Sequence, residues 1–186
     1  MKSKKAAMEM SVGTIVTIVL LMSVLVLGIF LVQKVFSSGT NAIDSIDDQV
    51  QSEINKLFSE EGNDLVVYPS SYDVTVKKGD TPKGFAFSVK NTDTVDHSYT
   101  YRVYAESGYD FEKYCGVGMT AQKATGYILL KTGGFDVGKG DSMDIPEVVR
   151  FAIPDNAPPC TIPYRLEIKE DGNSFSSSPI IYVTIK

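Results

Sequence analysis

A β-sandwich carried by a separate N-terminal helix is the fold class that this sequence predicts, and three observations predict it. Residues 12–32 form an apolar run without a single charge. Residues 43–58 repeat apolar side chains at helical spacing. From Leu65 onward, short β-rich runs alternate with turn-forming residues. The expected organisation is a cytoplasmic tip and transmembrane helix over 1–36, an amphipathic connector helix within 37–63, and a mainly β, extracytoplasmic domain over 64–186.

The apolar run sets the topology. Val12 to Val32 is 21 residues of almost unbroken Val, Ile, Leu, Met and Phe. At about 1.5 Å per residue it reaches about 32 Å, the thickness of a bilayer's hydrocarbon core. Lys2, Lys4 and Lys5 precede it, whereas Lys34 stands alone among Asp44, Asp47 and Asp48 after it. Positive charge is retained on the cytoplasmic side, so the N-terminus is expected inside and the rest outside, a single pass through the cytoplasmic membrane. Two readings compete: a buried helix of a soluble domain, and a cleaved secretory signal, for which Ser37-Ser38-Gly39 is a weak cleavage site. Gly13, Thr17, Ser23 and Gly28 are small, and Gly13 with Thr17 at i, i+4 permits close approach of a second helix.

Beyond the run, Ser37 to Thr40 predicts a break. Ile43, Ile46, Val50, Ile54, Leu57 and Phe58 then form one stripe on a helix, with Asp44, Asp47, Asp48, Gln49, Gln51 and Glu53 between them. Thr40 or Asn41 caps its start, and Glu60-Glu61-Gly62-Asn63 ends it. Either the β-domain or a second copy must cover such a stripe.

In the outer domain the expected strands are Leu65–Tyr68, Tyr72–Val76, Phe85–Lys90, Ser98–Ala105, Tyr127–Lys131, Val148–Ile153, Tyr164–Lys169 and Ile180–Ile185. Alternation is plain in Tyr99, Tyr101, Val103 and in Tyr164, Leu166, Ile168. Short alternating strands without a long helix predict an antiparallel β-sandwich, with a small barrel as the rival. Glu106 to Gly126 reads as a long excursion pinned by Cys115.

Composition excludes several functions. The net charge is -5, and residues 1–36 hold four lysines and one glutamate (+3), which leaves -8 on the remainder. An acidic outer part repels phosphate, so nucleic acid is not an expected partner. Cys115 and Cys160 fall in a compartment that permits a disulfide, with two separately buried thiols as the alternative. Two cysteines and one distant histidine do not form a tetrahedral metal set, and no cofactor motif occurs. His97 is the single candidate base and reads as a turn residue beside Asp96, with no nucleophile motif nearby. An enzyme is therefore not expected. Asp136, Asp141 and Asp144 around Gly138 and Gly140 read as a hairpin turn rather than a calcium loop.

Two resemblances add to this. Gly79-Asp80, Phe85 to Asn91, and Ile153 to Pro158 leading into Tyr164-Arg165-Leu166 resemble immunoglobulin-like sandwiches of archaeal and bacterial surface proteins. Lys4-Lys5-Ala6-Ala7-Met8-Glu9 before an apolar helix resembles the class III signal of archaeal type IV pilins and archaellins. That resemblance implies cleavage by a prepilin-type peptidase after Ala6, a mature chain starting at Ala7, and packing of the helix into a filament core. Glu9 would then stand third, where the family often places glutamate fifth. The implied function is a membrane-anchored cell-surface structural protein, a pilin-like filament subunit. The alternative is a permanently anchored adhesion module that binds an envelope component or another cell. Expected partners are membrane lipid, further copies or other surface proteins, and the peptidase.

Overall fold

The computed structural model describes residues 13–29, 48–61, 63–175 and 178–186. Lys5, Ala6, Ala7 and Glu9, and the stripe residues Ile43 and Ile46, lie outside them. The chain divides into two compact units, residues 1–40 and 41–186.

In the first unit, residues 13–29 form helix α1. These 17 residues cover most of the apolar run, and about 1.5 Å per residue makes α1 about 26 Å long. Among the described residues, no helix is long and apolar enough to cross a membrane. Every residue of α1 is exposed, including Leu20, Leu21, Met22, Leu25 and Leu27. Two of its hydroxyls are satisfied within the helix: Thr17 Oγ1 donates to the Gly13 carbonyl and Ser23 Oγ to the Val19 carbonyl, each at 2.8 Å.

The second unit opens with helix α2 (Asp48–Glu61). Its remaining described elements are β1 (Leu65–Tyr68), β2 (Asp73–Val76), β3 (Lys83–Val89), β4 (His97–Ala105), α3 (Phe111–Cys115), α4 (Ala121–Gly126), β5 (Thr132–Val137), β6 (Glu147–Phe151), β7 (Thr161–Glu170), β8 (Asn173–Ser174) and β9 (Ile180–Ile185). The strands make two sheets, β1-β3-β6 and β2-β9-β7-β4-β5, with β8 paired to β7. The second sheet is mixed rather than wholly antiparallel as expected, because β2 runs parallel to β9, Val74 beside Val183. The segment between β1 and β2 leaves one sheet and enters the other, so β2 does not fold back on β1 as a hairpin strand.

Period-two alternation decides what each strand buries. Phe85, Phe87 and Val89 of β3 face Tyr99, Tyr101, Tyr164, Leu166 and Ile168 of the larger sheet in one core. Phe87 and Tyr101 meet edge to face with centroids 5.0 Å apart, and Phe151 lies 4.8 Å from Tyr164. The opposite face of the smaller sheet, Val66 and Ala86, is covered by Val50, Ile54 and Leu57 of α2. The described part of the helical stripe is thus buried on the sheet, each aliphatic side chain contributing about 1.5–3 kcal/mol.

One expected strand is displaced. Tyr127–Lys131 is not a strand: Tyr127 caps α4, and Ile128 makes only an isolated bridge to Phe151. The strand is β5, which includes Gly133 and Gly134. Glycine pairs weaken a strand assignment, yet here a Cβ on Gly133 would overlap the Tyr101 ring. A bulky cross-strand partner takes the space that a side chain would fill.

Candidate functional site

Strands β4 and β7 run antiparallel along the larger sheet, with Tyr99 opposite Glu170 and Ala105 opposite Tyr164. Their ribbon has two chemically different ends. One is tied by the disulfide, and the other gathers carboxylates around a histidine.

At the first end, α3 and α4 fill the excursion between β4 and β5. Asp110 caps α3 by accepting from the Lys113 amide at 3.1 Å, and Thr120 Oγ1 caps α4 by accepting from the Lys123 amide at 3.3 Å. Cys115, the last residue of α3, is bonded to Cys160, which directly precedes β7, with Cα atoms 5.1 Å apart. The expected disulfide is therefore present, with one partner on a helix end rather than in a loop. Tyr164 Oη donates to the Ala124 carbonyl at 2.9 Å and ties α4 to the sheet. Gly116 and Gly118 adopt positive φ (98° and 81°) and hold Val117 out, 98% exposed. Beside this tip lies an open cleft of about 760 Å³ lined by Met119, Tyr127, Pro154 and Pro158.

At the second end, His97 begins β4 and its side chain is 13% exposed, not the exposed turn residue expected. Nδ1 lies 2.7 Å from Asp171 Oδ2 and Nε2 lies 3.1 Å from Asp93 Oδ2. The Asp171 carboxylate chiefly raises the His97 pKa above its ordinary value; desolvation opposes this, and Asp93 and Glu170 add to it. Asp171 is held below the usual carboxylate range by His97 first and then by the Ser98 amide. Tyr99 Oη donates to Glu170 Oε1 at 2.6 Å, and burial followed by this carboxylate pushes the phenol well above its ordinary range. Asp171 and Gly172 take positive φ (46° and 85°) in the tight turn joining β7 to β8, which brings Asp171 to Nδ1 of the ring.

The structure joins Cys115 to Cys160, while Lys5, Ala6, Ala7 and Glu9 fall outside the described residues. Asp141 closes a turn through its amide to the Gly138 carbonyl, and Asp136 instead accepts from Ser98 Oγ at 2.7 Å. Sequence reading missed the grouping of Asp93, His97, Glu170 and Asp171. The i, i+4 spacing of Asp93 and His97 was visible, but the other two carboxylates arrive only through the β4–β7 register. Both ring nitrogens of His97 face carboxylates, so the ring has no hydroxyl or thiol to activate.

No family model matches the chain, and no curated protein matches it. Among solved structures, the chain is similar to a chaperone–tip adhesion subunit complex from archaic chaperone-usher pili of Acinetobacter baumannii, at 14% identity and a TM-score of 0.32. That likeness covers 65% of this chain and 55% of the other. A family 123 glycoside hydrolase from Clostridium perfringens is similar at 12% identity and a TM-score of 0.34, over 61% of this chain and 22% of that one. At these scores neither likeness carries an argument about activity.

Proposed function

We propose that the chain is a non-enzymatic, pilin-like structural subunit of the cell surface, anchored in the cytoplasmic membrane by residues 12–32 before it assembles. The observation that carries this reading is α1, which bears no charge, is apolar apart from Thr14, Thr17 and Ser23, and is exposed on every face. An uncharged, largely apolar surface of this kind is stable only against lipid or against other apolar helices. The internal hydroxyl bonds of Thr17 and Ser23 support both environments, since neither asks a neighbour for a polar partner. In this reading a peptidase cuts after Ala6, and removal of Lys2, Lys4 and Lys5 lets the helix exchange lipid for copies of itself. Glu9 then pairs with the new α-amino group of a neighbouring subunit, because a carboxylate in an apolar core is costly unless paired. Two facing sheets, with a disulfide that ties α3 to the start of β7, support an immunoglobulin-like outer domain suited to an oxidising exterior.

The test uses a cysteine introduced into α1, Leu21→Cys, since both native cysteines are bonded. Surface-sheared material should contain chains that begin at Ala7 and cross-link to dimers through position 21. Full-length chains confined to the membrane, with no cross-link, would overturn the filament and identify a permanently anchored module.

A further inference from the structure

The histidine end of the sandwich presents a ligand set that the filament reading does not use. We propose that Asp93, His97 and Glu170 form a binding site for a divalent transition-metal ion of the zinc class. The ligand atoms of the three side chains lie within 4.8 Å of one another. His97 Nε2 is 3.1 Å from Asp93 Oδ2, close to the roughly 3.3 Å edge between neighbouring ligands of a tetrahedral ion bound at about 2.0–2.1 Å. The pair therefore already stands at coordination spacing, and an ion takes the place of the hydrogen between them.

Each ligand is aimed by a group outside the trio. Asp171 Oδ2 lies 2.7 Å from Nδ1 of His97, and its Oδ1 accepts from the Ser98 amide at 3.1 Å. A carboxylate on the far nitrogen fixes the tautomer that leaves Nε2 free to ligate, the usual support of zinc-bound imidazole. Glu170 is positioned by the Tyr99 hydroxyl at 2.6 Å. Asp93 rides on a loop pinned by the buried Asn91, whose Nδ2 donates to the carbonyls of Val95 and Val137 at 2.7 and 3.1 Å and whose Oδ1 accepts from the Asp93 amide at 2.9 Å. The Asp93 side chain is 67% exposed, which leaves the solvent side for water as a further ligand. An imidazole with two carboxylates favours transition ions over calcium or magnesium, which prefer oxygen alone. Bound there, the ion bridges the loop before β4 to the end of β7.

The test uses the full chain, without a histidine tag, purified in detergent and stripped with chelator. Zinc is titrated by calorimetry and by the nitrogen resonances of the imidazole, which report one site because His97 is the single histidine. One equivalent should bind and shift the Nε2 resonance. Asp93→Asn and Glu170→Gln should each weaken binding at least about tenfold, and Asp171→Asn about 10–100-fold, whereas His97→Ala abolishes it. Asp93 is exposed, so loss of binding in Asp93→Asn at unchanged thermal stability separates ligation from folding. An unshifted Nε2 resonance at one equivalent, or zinc binding unchanged in both Asp93→Asn and His97→Ala, would overturn the site. The outcome is independent of whether filaments form.

Discussion

The two ends of the β4–β7 ribbon hold together by opposite chemistry. At the Ala105–Tyr164 end, a covalent bond joins α3 to the start of β7. At the Tyr99–Glu170 end, no covalent link is present; His97, Asp171, Asp93 and Asn91 join three loops through charge and hydrogen bonds. Loop closure by a disulfide limits the unfolded chain and is indifferent to pH and salt. An imidazole between carboxylates depends on both. A domain built this way retains one end under any ionic condition and leaves the other responsive to its surroundings.

The largest effect should come from the covalent end. Cysteines 45 residues apart close a loop whose loss costs about 4 kcal/mol. Cys115→Ser combined with Cys160→Ser should lower stability by about that amount in urea unfolding of the detergent-solubilised chain. Tyrosine fluorescence is the probe, since the chain has ten tyrosines and no tryptophan. A loss below about 1 kcal/mol would show that Tyr164 and the α4 contacts hold that end without the bond.

Asn91→Ala should follow, with a loss of about 2 kcal/mol, because the Val95 and Val137 carbonyls lose a buried donor. The same unfolding assay reads it. Stability equal to the parent chain would mean that water replaces the amide and that the loop is not pinned as described.

Near neutral pH the response should come from the histidine end. With chelator present, the raised His97 pKa contributes stability that is complete below the ordinary value of 6.5 and is lost as pH rises through the folded value. The lowered Asp171 pKa acts in the other direction: its contribution is present above 3.8 and is lost as pH falls through the folded value. Stability across this pair should therefore be greatest on the acidic side of neutrality. His97→Gln should flatten the loss on the alkaline side, and an unchanged profile would remove His97 as its source.

The smallest effect should come from the middle of the ribbon. Arg102 Nη2 meets Glu167 Oε2 at 2.7 Å, and its guanidinium lies 4.7 Å from the Tyr104 ring centroid, but the Arg102 side chain is 60% exposed. Arg102→Ala should cost about 0.5 kcal/mol, and less in high salt. A loss above about 2 kcal/mol would place the ribbon's stability in its centre and undo the contrast between its ends.

The sequence alone determined features whose physics is local. An apolar run without charge marks α1 because no polar face interrupts it, and the helix stripe containing Val50, Ile54 and Leu57 marks α2 by its period. Most strands were legible because one face of each must enter the core, as Tyr99, Tyr101 and Val103 do. A chain with two cysteines has one possible intramolecular disulfide. Tertiary structure decided what depends on register. Gly133 becomes part of a strand only because Tyr101 lies against it, and β2 joins β9 in parallel only after crossing between sheets. Asp93, His97 and Glu170 meet for the same reason: antiparallel pairing places Tyr99 opposite Glu170, 71 residues away in sequence, and a pairing across that distance leaves no mark in either segment.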